Sequence, residues 1–252
     1  MIKTRNRYEL ELMRKSGQIT ARALKKVIET VQPGVSLLDL ERVAQKEIAA
    51  GGGKPSFPTV GNYQWATCLT VNHELVHGTP REIPLKEGDV LGIDIGAVYK
   101  GWHTDAAWSV IVGETSNGEK RRFLAVGEEA LWKAIRQAVA GNRLGAISNA
   151  IQTTVEGAGY SVSDTLVGHG VGRSLHESPN VPGLGSKNSG PELLENQTLA
   201  IEVIYAQQDA RVVLEEDGWT YSTRDKSLGG LFEMSVVVKD RQAEVLTDWR
   251  KA

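Results

Sequence analysis

A long helix, a glycine turn and a shorter helix are predicted twice in this chain, about 107 residues apart. In the first copy, apolar residues recur at intervals of three and four from Leu10 to Val31, and Pro33-Gly34 ends the pattern. Equivalent positions in the two copies are Leu24 and Leu131, Ile28 and Ile135, Val31 and Ala138, Gly34 and Gly141, Leu40 and Ile147, Ile48 and Val155, and Gly52 and Gly159. The pattern favours two similar halves, but it repeats residue character more than identity, so internal duplication is one interpretation among others.

Strand-like apolar runs follow each predicted helix pair. They are VLGIDIGAVY (90–99) and AAWSVIVG (106–113) in the first half, and TLAIEVIYA (198–206) and LFEMSVVV (231–238) in the second. Together with the helices, these runs predict a mixed α/β fold. No low-complexity segment or interdomain linker separates the halves, so we expect a single domain over residues 1–252, with halves at about 5–112 and 113–240.

Composition excludes several classes of protein. The formal net charge is −2 and no basic patch is visible, so we expect neither a nucleic-acid partner nor a membrane. No stretch approaches the roughly 18 consecutive apolar residues of a membrane-spanning helix, and the charged start lacks the apolar segment of a signal peptide. Cys68 is the single cysteine, which rules out a disulfide within the chain and fits the reducing cytoplasm.

An acid lies inside the first strand-like run, in VLGIDIGAVYKGWHTD. Asp94 is flanked by apolar residues, and a buried carboxylate is unfavourable unless it is paired or bound to a metal ion. The Lys100-Gly101 step is typical of a hairpin turn, so we expect Asp105 on the next strand to lie roughly opposite Asp94. Two close carboxylates repel each other unless a cation or a shared proton intervenes. The alternative interpretation is a polar strand pair that faces solvent.

Two further acids repeat this arrangement, Glu202 in TLAIEVIYA and Glu233 in GGLFEMSVVV. Each alone could equally be one partner of a buried salt bridge. Taken together, four carboxylates and a nearby imidazole fit two divalent cations held by bridging oxygens, an arrangement that suits hydrolysis. The motifs HExxH, GxSxG and GxxxxGK[ST] are absent, as are the Cys/His patterns of structural zinc.

Four of the five histidines lie in two short motifs. His169 and His176 are seven residues apart in GHGVGRSLHE, where the clustered glycines fit a backbone that passes close to a metal ion and a peptide. His77, in VNHELVHGTP, is placed at the end of a strand-like run, from which it could reach the mouth of a site. Taken in isolation, His77 is more easily explained as a surface or turn-capping residue than as a catalytic one.

These motifs resemble the methionine aminopeptidases. VNHELVHGTP, GIDIGAVYKGWHTDAA, GHGVGRSLHE, AIEV and GWTYSTRDKSLGGLFEMSVVV occur in the order and spacing of that family, and the resemblance spans about residues 5 to 240. Within that family, the chain resembles the short bacterial type I form, which has no N-terminal zinc-finger extension. The resemblance implies the pita-bread fold, in which two pseudo-symmetric halves with antiparallel sheets are covered by helices and a dinuclear metal site lies between them.

The resemblance also implies a role for each candidate residue of the site. Asp105 and Glu233 would bridge two divalent cations, Asp94 would chelate one of them, and His169 with Glu202 would hold the other. His77 and His176 match the family's two histidines that are not ligands but bind the peptide and stabilise the transition state. Glu202 is also the candidate for handling the proton of the attacking water. The metal, whether Co²⁺, Mn²⁺, Fe²⁺, Zn²⁺ or Ni²⁺, is left open.

A substrate pocket follows from the same resemblance. Tyr63 and Cys68 match positions that line the slot for the methionine side chain, and Trp219 matches an aromatic residue at its wall. A thioether is favoured by soft, apolar and aromatic surroundings, although Trp219 can also be explained as a residue that packs a loop. At five further positions this chain departs from the residues often found in the short bacterial enzymes. They are Phe57, Val60 and Leu175 in the pocket, and Val203 and Met234, which each follow a metal ligand. We expect the last two to affect the support of the metal ligands.

The resemblance therefore implies a cytoplasmic enzyme that removes the N-terminal methionine from nascent proteins and peptides, with a preference for a small second residue. The expected partners are nascent polypeptide N-termini and the ribosome, and we expect a monomer. One alternative is an Xaa-Pro aminopeptidase or dipeptidase of the same fold, which usually carries an additional N-terminal domain. The other is a metal-free pita-bread protein that binds partners, a class that has lost metal ligands which this chain keeps.

Overall fold

The structure of the protein is a computed structural model that describes residues 2–252. Within this range the α-helices are α1 (Arg7–Thr30), α2 (Leu37–Ala50), α3 (Gly118–Ile135) and α4 (Gly145–Gly157), and short 3₁₀ helices lie at Phe57–Thr59 and Trp249–Lys251. The strands are β1 (Lys54–Pro55), β2 (Thr67–Val71), β3 (Glu74–Val76), β4 (Val90–Tyr99), β5 (Trp102–Ile111), β6 (Ser161–Val162), β7 (Val167–Gly170), β8 (Glu177–Pro182), β9 (Thr198–Ala206), β10 (Val212–Leu214), β11 (Tyr221–Thr223), β12 (Gly229–Val237) and β13 (Glu244–Val245).

The two helix pairs match the repeat found in the sequence. In each half a long helix is followed by a shorter one, as α1 and α2 and as α3 and α4. Gly34 and Gly141 lie between the helices with φ of 90° and 88°, and Gly52 and Gly159 follow the second helices with φ of 78° and 88°. These left-handed conformations favour glycine because a side chain would be strained there. The equivalent glycines therefore turn the chain in the same way in both halves.

One continuous sheet joins the halves. Its strand order is β1-β4-β5-β12-β9-β7-β8, and β2, β6 and β13 pair with β4, β9 and β12. All of its pairings are antiparallel, and β5 of the first half meets β12 of the second. Helix α1 packs on β4 and β5, while α3 packs on β9 and β12. The helices thus cover one face of the sheet and leave the other face for the site.

Residues alternate between the two faces along each central strand. Ile93, Trp108 and Phe232 point to the helices and belong to the largest apolar cluster of the protein. Val203 and Met234 belong to the same cluster and are fully buried. Their side chains point to the helices, away from the acids that precede them, and their effect on the support of the metal ligands stays a prediction.

A smaller sheet of strand order β10-β11-β3 lies beside the central one. It brings the end of β3, where His77 follows, next to the strand that carries Tyr221. Among the helices of residues 2–252, none is both long and apolar enough to span a bilayer.

Candidate metal centre

A row of directly opposed residues crosses five strands on the face away from the helices. Cys68 of β2 lies opposite Asp94 of β4, which lies opposite Ala107 of β5. Ala107 lies opposite Glu233 of β12, and Glu233 lies opposite Glu202 of β9. Directly opposed residues share a face of a sheet, so the side chains of this row project to the same side. Three of the candidate ligands are thus aligned by strand register alone.

The other two ligands belong to the neighbouring row. Asp105 lies two residues before Ala107 on β5, opposite Gly96, and His169 of β7 lies opposite Ala200, two residues before Glu202. Residues two apart on a strand share a face, so both side chains join the first row. Asp94 and Asp105 are diagonal neighbours on paired strands, which agrees with the expectation that they lie roughly opposite each other. The two-residue turn at Lys100-Gly101 sets this offset, because it pairs Tyr99 with Trp102.

The donor atoms leave a position that suits a cation. His169 Nδ1 donates to the carbonyl oxygen of Gly170 at 2.9 Å, so its Nε2 carries a free lone pair, which lies 3.9 Å from Asp105 Oδ2. One ligand atom each from Asp105, His169 and Glu233 lies within 4.8 Å of the others. Within residues 2–252, Asp94 Oδ1 and Glu233 Oε1 are buried without a hydrogen-bond partner. Converging lone pairs on buried oxygens are unfavourable alone and become favourable around a cation, so these residues fit a divalent metal.

The electrostatics of the protein alone support this conclusion. Burial raises the pKa of Asp105 to about 7, and burial together with the neighbouring Asp105 raises the pKa of Glu202 to about 8. Burial and the surrounding carboxylates also hold the pKa values of Asp94 and Glu233 well above their usual range. Without a cation, the cluster therefore favours protons on its carboxyl groups. A bound cation reverses that preference because it stabilises the ionised forms.

The two histidines outside the ligand set reach the same cavity. His176 stands edge-on to His169, with ring centroids 4.5 Å apart, and burial lowers its pKa. His77 follows β3 with a φ of 57° and stands edge-on to Tyr221 at 5.8 Å. Burial and the proximity of His176 lower the pKa of His77 to about 4. Both rings line the cavity, and both are neutral near pH 7, so each can donate one hydrogen bond to a ligand.

An apolar pocket opens beside the carboxylates within a cavity of about 310 Å³. Tyr63 packs edge-on against Trp219 with ring centroids 5.0 Å apart, and its hydroxyl donates to the carbonyl oxygen of Thr67 at 2.8 Å. Burial and the nearby Asp94 raise the pKa of Cys68, so its thiol stays protonated. The remaining apolar side chains of this pocket are Phe57, Val60 and Leu175. The structure thus brings together every residue that the sequence assigned to the pocket.

The glycines of GHGVGRSLHE lie close to other parts of the protein. A side chain at Gly168 would approach the carbonyl oxygen of Ala200 to 2.6 Å, and one at Gly170 would approach that of Ser178 to 2.6 Å. A side chain at Gly172 would collide with the guanidinium of Arg5. Among protein atoms, the close contacts are therefore with neighbouring strands and with Arg5, and the expected approach to metal and peptide stays a prediction.

Several residues of the cavity wall were not found from the sequence. They are Val76, Thr165, Leu166, Val167, Asn180 and Ile204. The period of two along β9 could have identified Ile204, because it shares the face of Glu202. Asn180 lies opposite His169 on β8, a pairing that no local pattern predicts.

Comparison with known sequences agrees with this geometry. The model of the metallopeptidase family M24 matches residues 11–240. The methionine aminopeptidase of Clostridium perfringens is 39% identical over 247 residues, which cover 98% of this chain and 99% of that protein.

Solved structures show the same architecture. The methionine aminopeptidase of Thermotoga maritima superposes with a TM-score of 0.96 at 42% identity, covering 98% of this chain and 99% of that one. The prolidase of Pyrococcus furiosus has a TM-score of 0.79 at 22% identity, and this chain spans 65% of its length. The second likeness concerns the fold alone. Both comparisons confirm the predicted pita-bread fold.

Proposed function

The chain belongs to metallopeptidase family M24, and we propose that it is a methionine aminopeptidase that removes the N-terminal methionine from nascent proteins and peptides. One observation carries the proposal. A buried cluster of carboxylates with one histidine and an apolar pocket lined by Tyr63, Cys68 and Trp219 share a single cavity. The first element suits hydrolysis of an amide bond, and the second suits an unbranched thioether side chain.

The ligand set would hold two divalent cations. Asp105 and Glu233 are assigned as bridging ligands, Asp94 as a chelator of one ion, and His169 with Glu202 as ligands of the other. When bound, such ions lower the pKa of water and polarise the carbonyl of the scissile bond. Co²⁺, Mn²⁺, Fe²⁺, Zn²⁺ and Ni²⁺ are all compatible with a site of oxygen ligands and one imidazole.

Glu202 is assigned as the group that moves the proton. Its carboxylate lies opposite Glu233 in the strand register and is partly open to the cavity. From that position it accepts a proton from the attacking water and delivers it to the nitrogen of the leaving amine. A single carboxylate can serve both steps because it takes up the proton in the first and loses it in the second.

His176 and His77 are assigned to the substrate. With pKa values lowered by burial, both imidazoles are neutral near pH 7 and each keeps one N–H to donate. We assign His176 to the carbonyl oxygen of the scissile bond, where its hydrogen bond strengthens as negative charge develops. His77 lies directly after β3 and is assigned to the backbone of the peptide.

The apolar pocket selects the first side chain of the substrate. Edge-on rings of Tyr63 and Trp219 and the neutral thiol of Cys68 surround a space that favours a thioether over a charged or branched group. The preference for a small second residue is part of the proposal and follows from the resemblance to the family.

The remaining proposals concern the chain as a whole. We infer a single catalytic domain, with halves at about 5–112 and 113–240, because the pairing of β5 with β12 continues the sheet across the boundary. We also infer a monomer in the cytoplasm, where nascent N-termini and the ribosome are its partners. The free thiol of Cys68 is compatible with that compartment. Light scattering of the purified protein tests the monomer.

A peptide assay tests the function. Protein freed of metal and reconstituted separately with each divalent ion is incubated with Met-Ala-Ser and with an Xaa-Pro peptide. We expect methionine release from the first peptide and none from the second. Cleavage of only the Xaa-Pro peptide would support a prolidase-like activity, and no cleavage with any ion would support a non-catalytic protein.

A further inference from the structure

The segment that precedes α1 lies outside the residues matched by the family model, yet it contacts the loop that carries His176. Thr4 forms an isolated β-bridge with Gln197, and the backbone N–H of Arg5 donates to the carbonyl oxygen of Asn196 at 2.9 Å. These contacts hold the backbone of the segment against the two residues that immediately precede β9. They direct the side chain of Arg5 inward, where it is only 6% exposed.

The guanidinium of Arg5 is held on several sides. Its Nη2 is 2.5 Å from Glu177 Oε2 and donates to the carbonyl oxygen of Val171 at 3.4 Å. Its Nε donates to Thr198 Oγ1 at 3.2 Å, and its Cζ lies 5.3 Å from the ring centroid of Trp102. Both charged side chains of the Arg5–Glu177 pair are almost completely buried. A buried pair of this kind is held firmly because neither partner can find water instead.

Glu177 also accepts hydrogen bonds from the backbone of residues that precede it. Its second oxygen, Oε1, accepts from the backbone N–H of Arg173 at 2.7 Å and from that of Ser174 at 3.2 Å. The carbonyl oxygen of Gly172 accepts from the backbone N–H of His103 at 2.7 Å. We name residues 171–177 the His176 loop. The Arg5–Glu177 pair fastens this loop at both of its ends and at two amides between them.

The glycine in the loop makes room for this arrangement. A side chain at Gly172 would meet the guanidinium of Arg5 and approach Glu177 Oε1 to 3.0 Å. Leu175 of the pocket wall and His176 belong to the same loop. The restraint therefore acts on a segment that carries one substrate-facing imidazole and one residue of the specificity pocket.

We propose that Arg5 and Glu177 are positioning residues, which hold the His176 loop so that the imidazole of His176 meets the carbonyl oxygen of the substrate. This inference rests on the proposed function, because it concerns the place of His176 in that reaction. Neither Arg5 nor Glu177 lines the cavity, and their hydrogen bonds go to residues other than the candidate metal ligands. A displacement of a catalytic group by about 1 Å can lower a rate about 10²-fold, so loss of the pair should appear in turnover.

The test compares two ion pairs of equal length. Arg5→Met removes the buried pair, and Arg14→Met removes the pair of Arg14 with Glu244, also 2.5 Å long, which joins α1 to β13. Arg5→Lys keeps the charge, and Glu177→Gln keeps the shape of the acid. Each variant is measured for kcat and KM on Met-Ala-Ser, for metal affinity by calorimetry, and for melting temperature.

We expect Arg5→Met and Glu177→Gln to lower kcat about 10- to 100-fold and to leave metal affinity within about threefold. Arg5→Lys should recover part of the lost kcat, and Arg14→Met should keep the wild-type kcat. The double variant Arg5→Met with Glu177→Gln should be no worse than the poorer single variant, because both changes remove one interaction.

Other results would overturn the inference. It fails if folded Arg5→Met keeps the wild-type kcat, if metal affinity falls in parallel with kcat, or if Arg14→Met loses as much activity. If Arg5→Met does not fold, a wild-type kcat in Glu177→Gln overturns the inference on its own. Wild-type protein that releases no methionine indicates failure of the proposed function, which is thereby distinguished from failure of the positioning role.

Discussion

The two faces of the central sheet are formed by the same strands but differ in the residues that they carry. On the helix side, Ile93, Trp108, Phe232 and Met234 are buried in one apolar cluster with residues of the helices. On the cavity side, the positions beside the ligands hold the small residues Ala107, Ala200, Ser235 and Gly96, and the ring of Phe57 packs against Gly96. One face is closely packed and apolar, whereas the other combines open space with buried carboxylates.

The difference shows how a protein tolerates an unfavourable cluster of acids. Buried oxygens without partners destabilise the metal-free protein, and the large apolar contacts of the helix side offset that loss. Because side chains alternate along a strand, Glu233 can serve the site while its neighbours Phe232 and Met234 stabilise the fold. The comparison predicts that substitutions on the two faces separate stability from activity.

The largest expected effect is on the cavity side. Glu233→Gln keeps the size of the side chain and removes one ligand, so we expect kcat/KM to fall at least about 10³-fold, because a metal ion contributes several kcal/mol to catalysis. In the metal-free protein the same change should raise the melting temperature, because burial raises the pKa of Glu233, so that this carboxyl group must take up a proton on folding near pH 7, whereas an amide need not. Methionine release and calorimetry measure the two effects.

The exposed Glu195 provides the matched control for this change. Glu195→Gln should leave both the activity and the melting temperature unchanged. The division between the faces would be wrong if Glu233→Gln kept its activity, or if the metal-free variant were less stable than the metal-free wild type.

The second prediction addresses the helix side. Phe232 is 1% exposed and packs edge-on against Trp108 at 4.9 Å. Phe232→Ala should lower the free energy of unfolding by about 3–5 kcal/mol, as expected for an aromatic side chain removed from a core. The kcat of the folded fraction at low temperature should stay within about twofold of wild type. A large fall in kcat with an unchanged free energy of unfolding would refute the assignment of this face to stability.

The third prediction distinguishes two histidines on the cavity side. His169→Ala should weaken metal binding, because His169 offers the nitrogen ligand of the cluster. His176→Ala should leave metal affinity within about threefold and lower kcat about 10²-fold, the usual effect of losing a hydrogen bond to the oxyanion. Titration calorimetry and peptide kinetics measure both. An equal loss of metal in the two variants would contradict the division of labour.

Much of the fold can be predicted from local patterns. The apolar runs 90–99 and 198–206 coincide with β4 and β9, and the repeated glycines mark equivalent turns. The register of Asp94 and Asp105 could also have been derived, because a two-residue turn at Lys100-Gly101 requires Asp94 to face Ala107. The physical reason is that turns and period-two alternation depend on neighbours in the sequence.

Contacts between distant segments could not be predicted in the same way. Arg5 and Glu177 are 172 positions apart, and nothing near either residue indicates the other. Asn180 lines the cavity because β8 pairs with β7, a pairing that depends on the whole sheet. Trp219 was assigned to the site by resemblance and lines the cavity; such an assignment uses long-range information that periodicity lacks.

The smallest expected effect is a pH dependence of stability in the metal-free protein. Folding raises the pKa of Asp105 to about 7 and of Glu202 to about 8, through burial in both cases. The folded state therefore binds more protons than the unfolded state until the pH passes those values, so stability falls as pH rises. Folding lowers the pKa of His169 and of His77 to about 4, again mainly through burial, which has the opposite sign but ends near the unfolded value of about 6.5. Only the carboxyl groups change stability above that pH.

Between pH 6.5 and 8 we expect the free energy of unfolding to fall by on the order of 1–3 kcal/mol, as measured by urea titration. Glu202→Gln should make the slope shallower, and saturating metal should remove it, because a cation stabilises the ionised carboxylates. Stability that rises with pH over this range would show that the cavity side does not carry the destabilising acids.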